Sequence, residues 1–198
     1  IVESCFQAPS DKTAIIYQQE GNSSQSMSYG ELKKKTEKVA QSLVDHGFQP
    51  GDSIAVCLSM NPDSIAIFLG TILAGCTVVA IAESFAPNEI QKRLEISEAK
   101  AIFTQDVLIR GGKELPIFEK VIQAQAPQAI VLPFSSSPTP LRLDKKDILL
   151  KDFLTQEETS FSGFPANPND STTLLFSSGT TSDPKAIPWT HLTPIKSA

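Results

Sequence analysis

Thr172-Thr-Leu-Leu-Phe-Ser-Ser-Gly-Thr-Thr-Ser-Asp-Pro-Lys185 joins an apolar run directly to a cluster of hydroxyls, one glycine and one cation. Thr172, Thr173, Leu174, Leu175 and Phe176 read as a buried strand, and the loop leaving the end of such a strand is where α/β proteins bind ligands. Gly179 lets backbone N–H groups turn inward, Ser177, Ser178, Thr180, Thr181 and Ser182 carry hydroxyl donors, and Lys185 adds a positive charge. That set suits a polyphosphate. The stretch does not fit the helix-borne loop G-x-x-x-x-G-K-[ST]: Pro184 stands at the second glycine, Ala186 follows Lys185, and Ala186-Ile-Pro-Trp189 reads as extended. Taken as a bare pattern, the same residues also suit an ordinary polar turn.

In the residues before this stretch, strands and helices alternate. Residues 14–17 read as a strand, residues 21–26 as a polar turn, and Ser28-x-x-Glu31 as a capping box that opens a helix. Leu32, Val39, Ala40, Leu43 and Val44 share one face of that helix, which Gly47 stops. Pro50-Gly51-Asp52 turns the chain into a strand over 54–58, a helix follows from Pro62, Gly75 stops it, and residues 77–81 form the next strand. Pro87 starts a helix carrying Ile90 and Leu94, residues 101–103 supply a strand, and 118–125 with 129–132 repeat the alternation. Residues 133–140 and 155–170 read as loops around a short helix near 147–154, and no internal repeat is visible. The expected fold class is therefore α/β, with a mostly parallel, helix-covered sheet.

Composition narrows the function. A chain of 198 residues with 40% hydrophobic content builds a real core in one domain or two. A net charge of -5 and an isoelectric point near 5.1 argue against a nucleic-acid partner. Lys33-Lys34-Lys35 would be a phosphate or membrane patch on its own, but Glu31 and Glu37 flank it as on a solvated helix face. Cys5, Cys57 and Cys76 are odd in number and lack metal or redox spacing, which suits a reducing compartment. His46 lies near a helix end and His191 is expected to begin the element after the loop; neither has triad partners, and no metal cluster is visible. The uncharged run 65–82 reaches the lower bound for a membrane span but divides into a helix and a β-branched strand, so no transmembrane segment is expected. The N-terminus carries no methionine and no signal-peptide pattern, and reads as internal.

Ser177-Ser-Gly-Thr-Thr-Ser-Asp-Pro-Lys-Ala-Ile-Pro-Trp-Thr-His191 resembles the phosphate-loop signature of the adenylate-forming (acyl-CoA synthetase, AMP-binding) superfamily. Ser182 and Ala186 depart from that family's usual glycines. Ala186 with Ile-Pro-Trp behind it resembles the plant peroxisomal acyl-activating enzymes of the acetyl-CoA-synthetase-like branch. Met27-Ser-Tyr-Gly-Glu-Leu32, Gly47-Phe-Gln-Pro-Gly-Asp52, Leu73-Ala-Gly-Cys76 and residues 90–104 follow the family's order and spacing. Similarity is weaker in Phe103-Thr-Gln-Asp106, Arg110-Gly-Gly112 and Ile130-Val-Leu-Pro133.

The resemblance implies the front part of a large N-terminal AMP-binding domain over residues 1–198, with the phosphate loop at 177–185. It implies a reaction in which a small-molecule carboxylate attacks the α-phosphate of ATP with Mg²⁺, and coenzyme A then displaces AMP. Ser177, Ser178, Gly179, Thr180, Thr181, Ser182 and Lys185 would grip the phosphates, with Thr180 or Thr181 near the metal and Lys185 as loop anchor or pyrophosphate partner. The family's acyl-transfer lysine, base pocket and metal-binding glutamate fall beyond residue 198, so no catalytic residue is expected within the chain and the chain alone is expected to be inactive. A short, non-catalytic phosphate-binding or interaction module is the alternative, and an unrelated phosphate-binding α/β domain is a third reading. The resemblance implies a peroxisomal location, with a cytoplasmic one as the alternative. It does not identify the carboxylic acid.

Overall fold

The computed structural model describes residues 1–134, 141–155, 160–177 and 183–197. Along the chain run α1 (Val2–Cys5), β1 (Thr13–Tyr17), β2 (Gln25–Ser28), α2 (Tyr29–Asp45), β3 (Ser53–Cys57), α3 (Pro62–Leu73), β4 (Thr77–Ala80) and α4 (Pro87–Ser97). Then follow β5 (Ala101–Gln105), β6 (Val107–Arg110), β7 (Lys113–Pro116), α5 (Ile117–Gln123), β8 (Gln128–Leu132), β9 (Ile148–Leu149), α6 (Leu150–Phe153), β10 (Ser171–Ser177), β11 (Lys185–Thr190) and α7 (Thr193–Ser197).

The main sheet has the order β11-β10-β4-β3-β5-β8-β9. Neighbours are parallel throughout except for β11, which runs antiparallel to β10. Strand β3 sends its chain to α3 and β4 on one side, and β4 sends its chain over to β5 on the other. Side chains alternate between two cores, as the two-residue period of a strand requires. Ala101 and Phe103 of β5 face α2, α3 and α6, where they meet Val39, Leu43, Ile67 and Phe153. Ile102 between them faces α4 and α5, where it joins Ile90, Leu94, Phe118 and Val121. The sheet is covered on both faces, the expected α/β class.

Local chemistry sets the helix ends. At α2 the Ser28 hydroxyl accepts from the Glu31 N–H at 3.2 Å while the Glu31 carboxylate accepts from the Ser28 N–H at 2.8 Å. That backbone N–H, with the Ser28 hydroxyl, holds the Glu31 carboxyl below its ordinary value. Asn61 and Ser64 reciprocate in the same way at α3, with Pro62 in the first turn. Helices α2 and α3 cross tightly at Gly70, where a Cβ would stand 2.7 Å from the Thr36 carbonyl oxygen. The lysine trio is a solvated face: Lys33 pairs with Glu37 and Lys35 with Asp63. All three cysteines are free, with Cys57 and Cys76 buried and Cys5 exposed. Among the described residues no helix is long and apolar enough to cross a membrane.

Several expectations need correction. Val44 is 44% exposed rather than part of the buried stripe, because it lies at the edge of the face that Leu32, Val39, Ala40 and Leu43 bury. The turn expected at 21–26 ends earlier, since Gln25 and Ser26 already pair with Tyr17 and Ile16 in a hairpin. Strands β6 and β7 form an unanticipated hairpin around Gly111 and Gly112, both at positive φ. The helix near 147–154 is shorter, because Ile148 and Leu149 first pair with Ile130 and Val131. His191 follows β11 rather than opening the element after the loop.

Candidate active site

Strand β10 lies between β4 and β11 because it satisfies two ladders at once. Thr173 and Leu174 pair with Val78 and Val79 of β4, and residues from Ser171 to Ser177 pair with β11. Threonines stitch its beginning: Thr77 Oγ1 donates to the Ser171 carbonyl at 3.2 Å and Thr172 Oγ1 to the Trp189 carbonyl at 3.1 Å. Leu174 and Phe176 pack towards the α4 and α5 core, so Ser177 opens the loop at the carboxyl end of the strand. Carboxyl ends of parallel strands are where open α/β sheets bind ligands.

Strands β10 and β11 are antiparallel neighbours, so the element that follows the segment 177–185 is a strand and not a helix. Phe176 stands opposite Ala186 and Ser177 opposite Lys185, so the first and last residues of the proposed phosphate grip face each other across the ladder. Ser178, Gly179, Thr180, Thr181 and Ser182 lie outside the described residues. Of the site residues expected from sequence, Ser177 and Lys185 are thus brought together, half-buried and exposed respectively. Among the described residues no group of three His, Cys, Asp or Glu side chains comes together as a metal cage. A Mg²⁺ bound mainly through substrate phosphates and water, with one hydroxyl from the protein, fits the chemistry of this hydroxyl-rich segment.

Helix α4 adds residues that the motif does not contain. Lys92 Nζ lies 2.5 Å from Asp183 Oδ1. Arg93 is 6% exposed, with its guanidinium carbon 3.9 Å from the centroid of the Phe85 ring and 5.5 Å from that of Phe176. One of its N–H groups donates to the Glu89 carbonyl at 2.8 Å, while Nε is buried without a partner among the described residues. A sequence signal for Arg93 does exist. Ile90, Arg93, Leu94 and Ser97 form the buried stripe of α4, and a charge in that stripe is out of place unless it faces something specific.

A concavity of about 420 Å³ also opens beyond the carboxyl ends of β3, β5 and β8, lined by Ser59, Asn61, Gln105, Leu108 and Phe134 among others. Gln105 organises its floor, its side-chain oxygen accepting from the Ser59 N–H at 2.8 Å and the Ser59 hydroxyl at 2.7 Å.

Comparison with known proteins gives this parallel sheet and its edge hairpin a family. The chain belongs to the AMP-binding enzyme family, whose model matches residues 2–198. It is 41% identical over 196 residues to probable acyl-activating enzyme 18, peroxisomal, of Arabidopsis thaliana, covering 95% of this chain and 27% of that protein. It is 41% identical over 207 residues to hexanoyl-CoA synthase of Cannabis sativa, covering 99% of this chain and 29% of that one. Acetoacetyl-CoA synthetase from Streptomyces lividans shares the fold at a TM-score of 0.86 with 23% identity, over 96% of this chain and 30% of that one. The chain thus spans between 27% and 29% of the length of these two curated relatives.

Proposed function

We propose that residues 177–185 are the phosphate loop of an acyl-CoA synthetase-type ligase, and that this chain contributes the polyphosphate grip to ATP-dependent carboxylate activation. The observation that carries the reading is the register of β10 and β11, in which Ser177 and Lys185 oppose each other at the carboxyl end of a parallel-sheet strand. Membership of the AMP-binding family supports it.

The chemistry to be solved is repulsion. A carboxylate nucleophile and a polyphosphate are both anions, so the first half-reaction depends on neutralising phosphate oxygens and holding the partners in line. Ser177, Ser178, Thr180, Thr181 and Ser182 donate hydroxyl hydrogens to the β- and γ-phosphates, and Gly179 allows backbone N–H groups to approach them. Thr180 or Thr181 would hold a Mg²⁺, which would supply further positive charge to the phosphates, and Lys185 balances the charge of the pyrophosphate that leaves. The resulting acyl-adenylate is the substrate for a thiol, coenzyme A, which displaces AMP. Residues 1–198 act as the leading part of the AMP-binding domain, and the steps that this chain supports are those its own residues carry. The peroxisomal names of its plant relatives make the peroxisome the first compartment to examine.

Trp189, the single tryptophan, lies on β11 four positions beyond Lys185 and reports on this hairpin. Titration of the chain with Mg²⁺ and pyrophosphate should change its fluorescence saturably, and Lys185→Ala should weaken binding about tenfold, as loss of one charge-assisted contact does. No saturable binding, or equal binding by the Lys185→Ala and Thr180→Ala/Thr181→Ala variants, would overturn the proposal.

A further inference from the structure

Arg93 is hard to explain as core. Its neighbours in the α4 stripe are Ile90, Leu94 and Ser97, all buried, and a leucine or methionine would fill the same place without desolvating a cation. Among the described residues no carboxylate pairs with it. What it does touch is specific. Its planar group lies between Phe85, in the loop that leaves β4, and Phe176, the last apolar residue of β10. A guanidinium over an aromatic face is a directional contact that an aliphatic chain does not reproduce. Its neighbour in sequence, Lys92, reaches Asp183 on the returning side of the hairpin. Two consecutive residues of α4 therefore hold residues on both sides of the segment 177–182.

We infer that α4 is the seat of the phosphate-loop hairpin, with Arg93 as a positioning residue that fixes the carboxyl end of β10 through Phe176, and Lys92 as the tie to Asp183. The inference rests on the phosphate-loop reading for its functional meaning, but the clamp itself is a property of the ligand-free protein. Among the described residues no carboxylate neutralises Arg93, which leaves a positive charge near the end of β10, the sign that a polyphosphate requires.

Residue-resolved hydrogen exchange on the ligand-free chain tests the clamp. In Arg93→Met the amides of Phe176, Ser177, Lys185 and Ala186 should exchange about tenfold faster, while those of Ile54, Ala55, Ile102 and Phe103 stay as they were. Arg93→Lys, which keeps the charge but loses the planar group, should fall between the two. Unchanged hairpin exchange in Arg93→Met, or equal acceleration in β3 and β5, would overturn the inference, the second because Arg93 would then be ordinary core. If Arg93→Met does not fold, Phe176→Leu carries the same test, with acceleration confined to the hairpin supporting the clamp and its absence refuting it. Pyrophosphate titration of the same variants separates the two ideas. Failure of the unaltered chain to bind removes the phosphate-loop reading and leaves the exchange result to decide the clamp. Binding by the unaltered chain and by Arg93→Met with equal affinity refutes the positioning role.

Discussion

Of the three thiols, only Cys5 should react with a disulfide reagent in the folded protein, and the other two should make the fold sensitive to alkali. Cys57 and Cys76 are 0% and 1% exposed. Burial, first, pushes each thiol from its ordinary value of 9.0 up to about 12, and nearby carboxylates add to it, Glu83 at Cys57 and Asp52 at Cys76. Such a rise lowers the thiolate population at pH 8 about a thousandfold, and with it the reactivity. Because the folded-state values lie above the unfolded ones, folding favours the protonated thiol. The contribution is complete below pH 9 and is lost as the pH climbs from there towards about 12. The slope is about 1.4 kcal/mol per pH unit per thiol, so by about pH 10.5 each costs the fold about 2 kcal/mol relative to neutral pH. The assay has two arms. A chromogenic disulfide at pH 8 should register one fast thiol, and the remaining two only in urea. Urea unfolding at pH 7.5 and 10.5 should show a loss about 2 kcal/mol smaller in Cys76→Ala than in the unaltered chain. Three fast thiols, or the same loss in both proteins, would refute the reasoning.

Gly70→Ala should lower stability by about 2 kcal/mol, because the overpacking against the Thr36 carbonyl and Val39 outweighs the gain of about 1 kcal/mol in helix propensity. Thermal unfolding should show this as a fall in Tm of about 4–8 °C, and an unchanged or raised Tm would contradict the close α2–α3 crossing. Ile187 and Trp189 on β11, the last strand on its side of the sheet, are 44% and 37% exposed, so the chain should self-associate with rising concentration. Ile187→Lys should reduce that association in light scattering, and no change would mean that the strand edge is not the contact.

The parts of the fold legible in the sequence are those whose determinants are local. Ser28 and Glu31 open α2, Asn61-Pro62 opens α3, and Gly47 and Gly75 at positive φ close them, all within a few residues of the chain. The β6–β7 hairpin lay outside the expectation although Gly111-Gly112 is a two-residue turn signal, because its strands are short and largely half-exposed and carry no strong apolar alternation. At the site, the motif picked out Ser177 and Lys185, and the ladder that joins them follows from an extended Ala186-Ile-Pro-Trp189. The contribution of α4 was not legible in the same way. Lys92 and Asp183 are ninety-one positions apart, and only the packing of α4 beside the end of β10 makes them neighbours. Arg93 was not among the expected site residues; a cation in an apolar stripe could have drawn attention to it, but the stripe alone does not say which ring it meets.

The hairpin also accounts for where the positive charge comes from. In nucleotide loops that run into a helix, the helix N-terminus supplies both N–H donors and a favourable field. Here the chain turns back along β11 at Lys185, with Pro184 just before that strand and Pro188 within it. The element that follows Lys185 is a strand rather than a helix, so among the described residues side chains supply the positive charge at this end of β10. Lys185 provides one charge on the hairpin itself. Arg93 provides a second from below, fixed by two phenyl rings and by the Glu89 carbonyl and left without a carboxylate among the described residues. Lys92, already committed to Asp183, adds little net charge and serves geometry instead. On this account, replacing Arg93 weakens polyphosphate binding in two separable ways: Arg93→Lys retains most of the field and loses the ring contacts, whereas Arg93→Met loses both. A low-salt titration should then separate Arg93→Lys from Arg93→Met more widely than one at high salt, because the field is screened and the ring contacts are not.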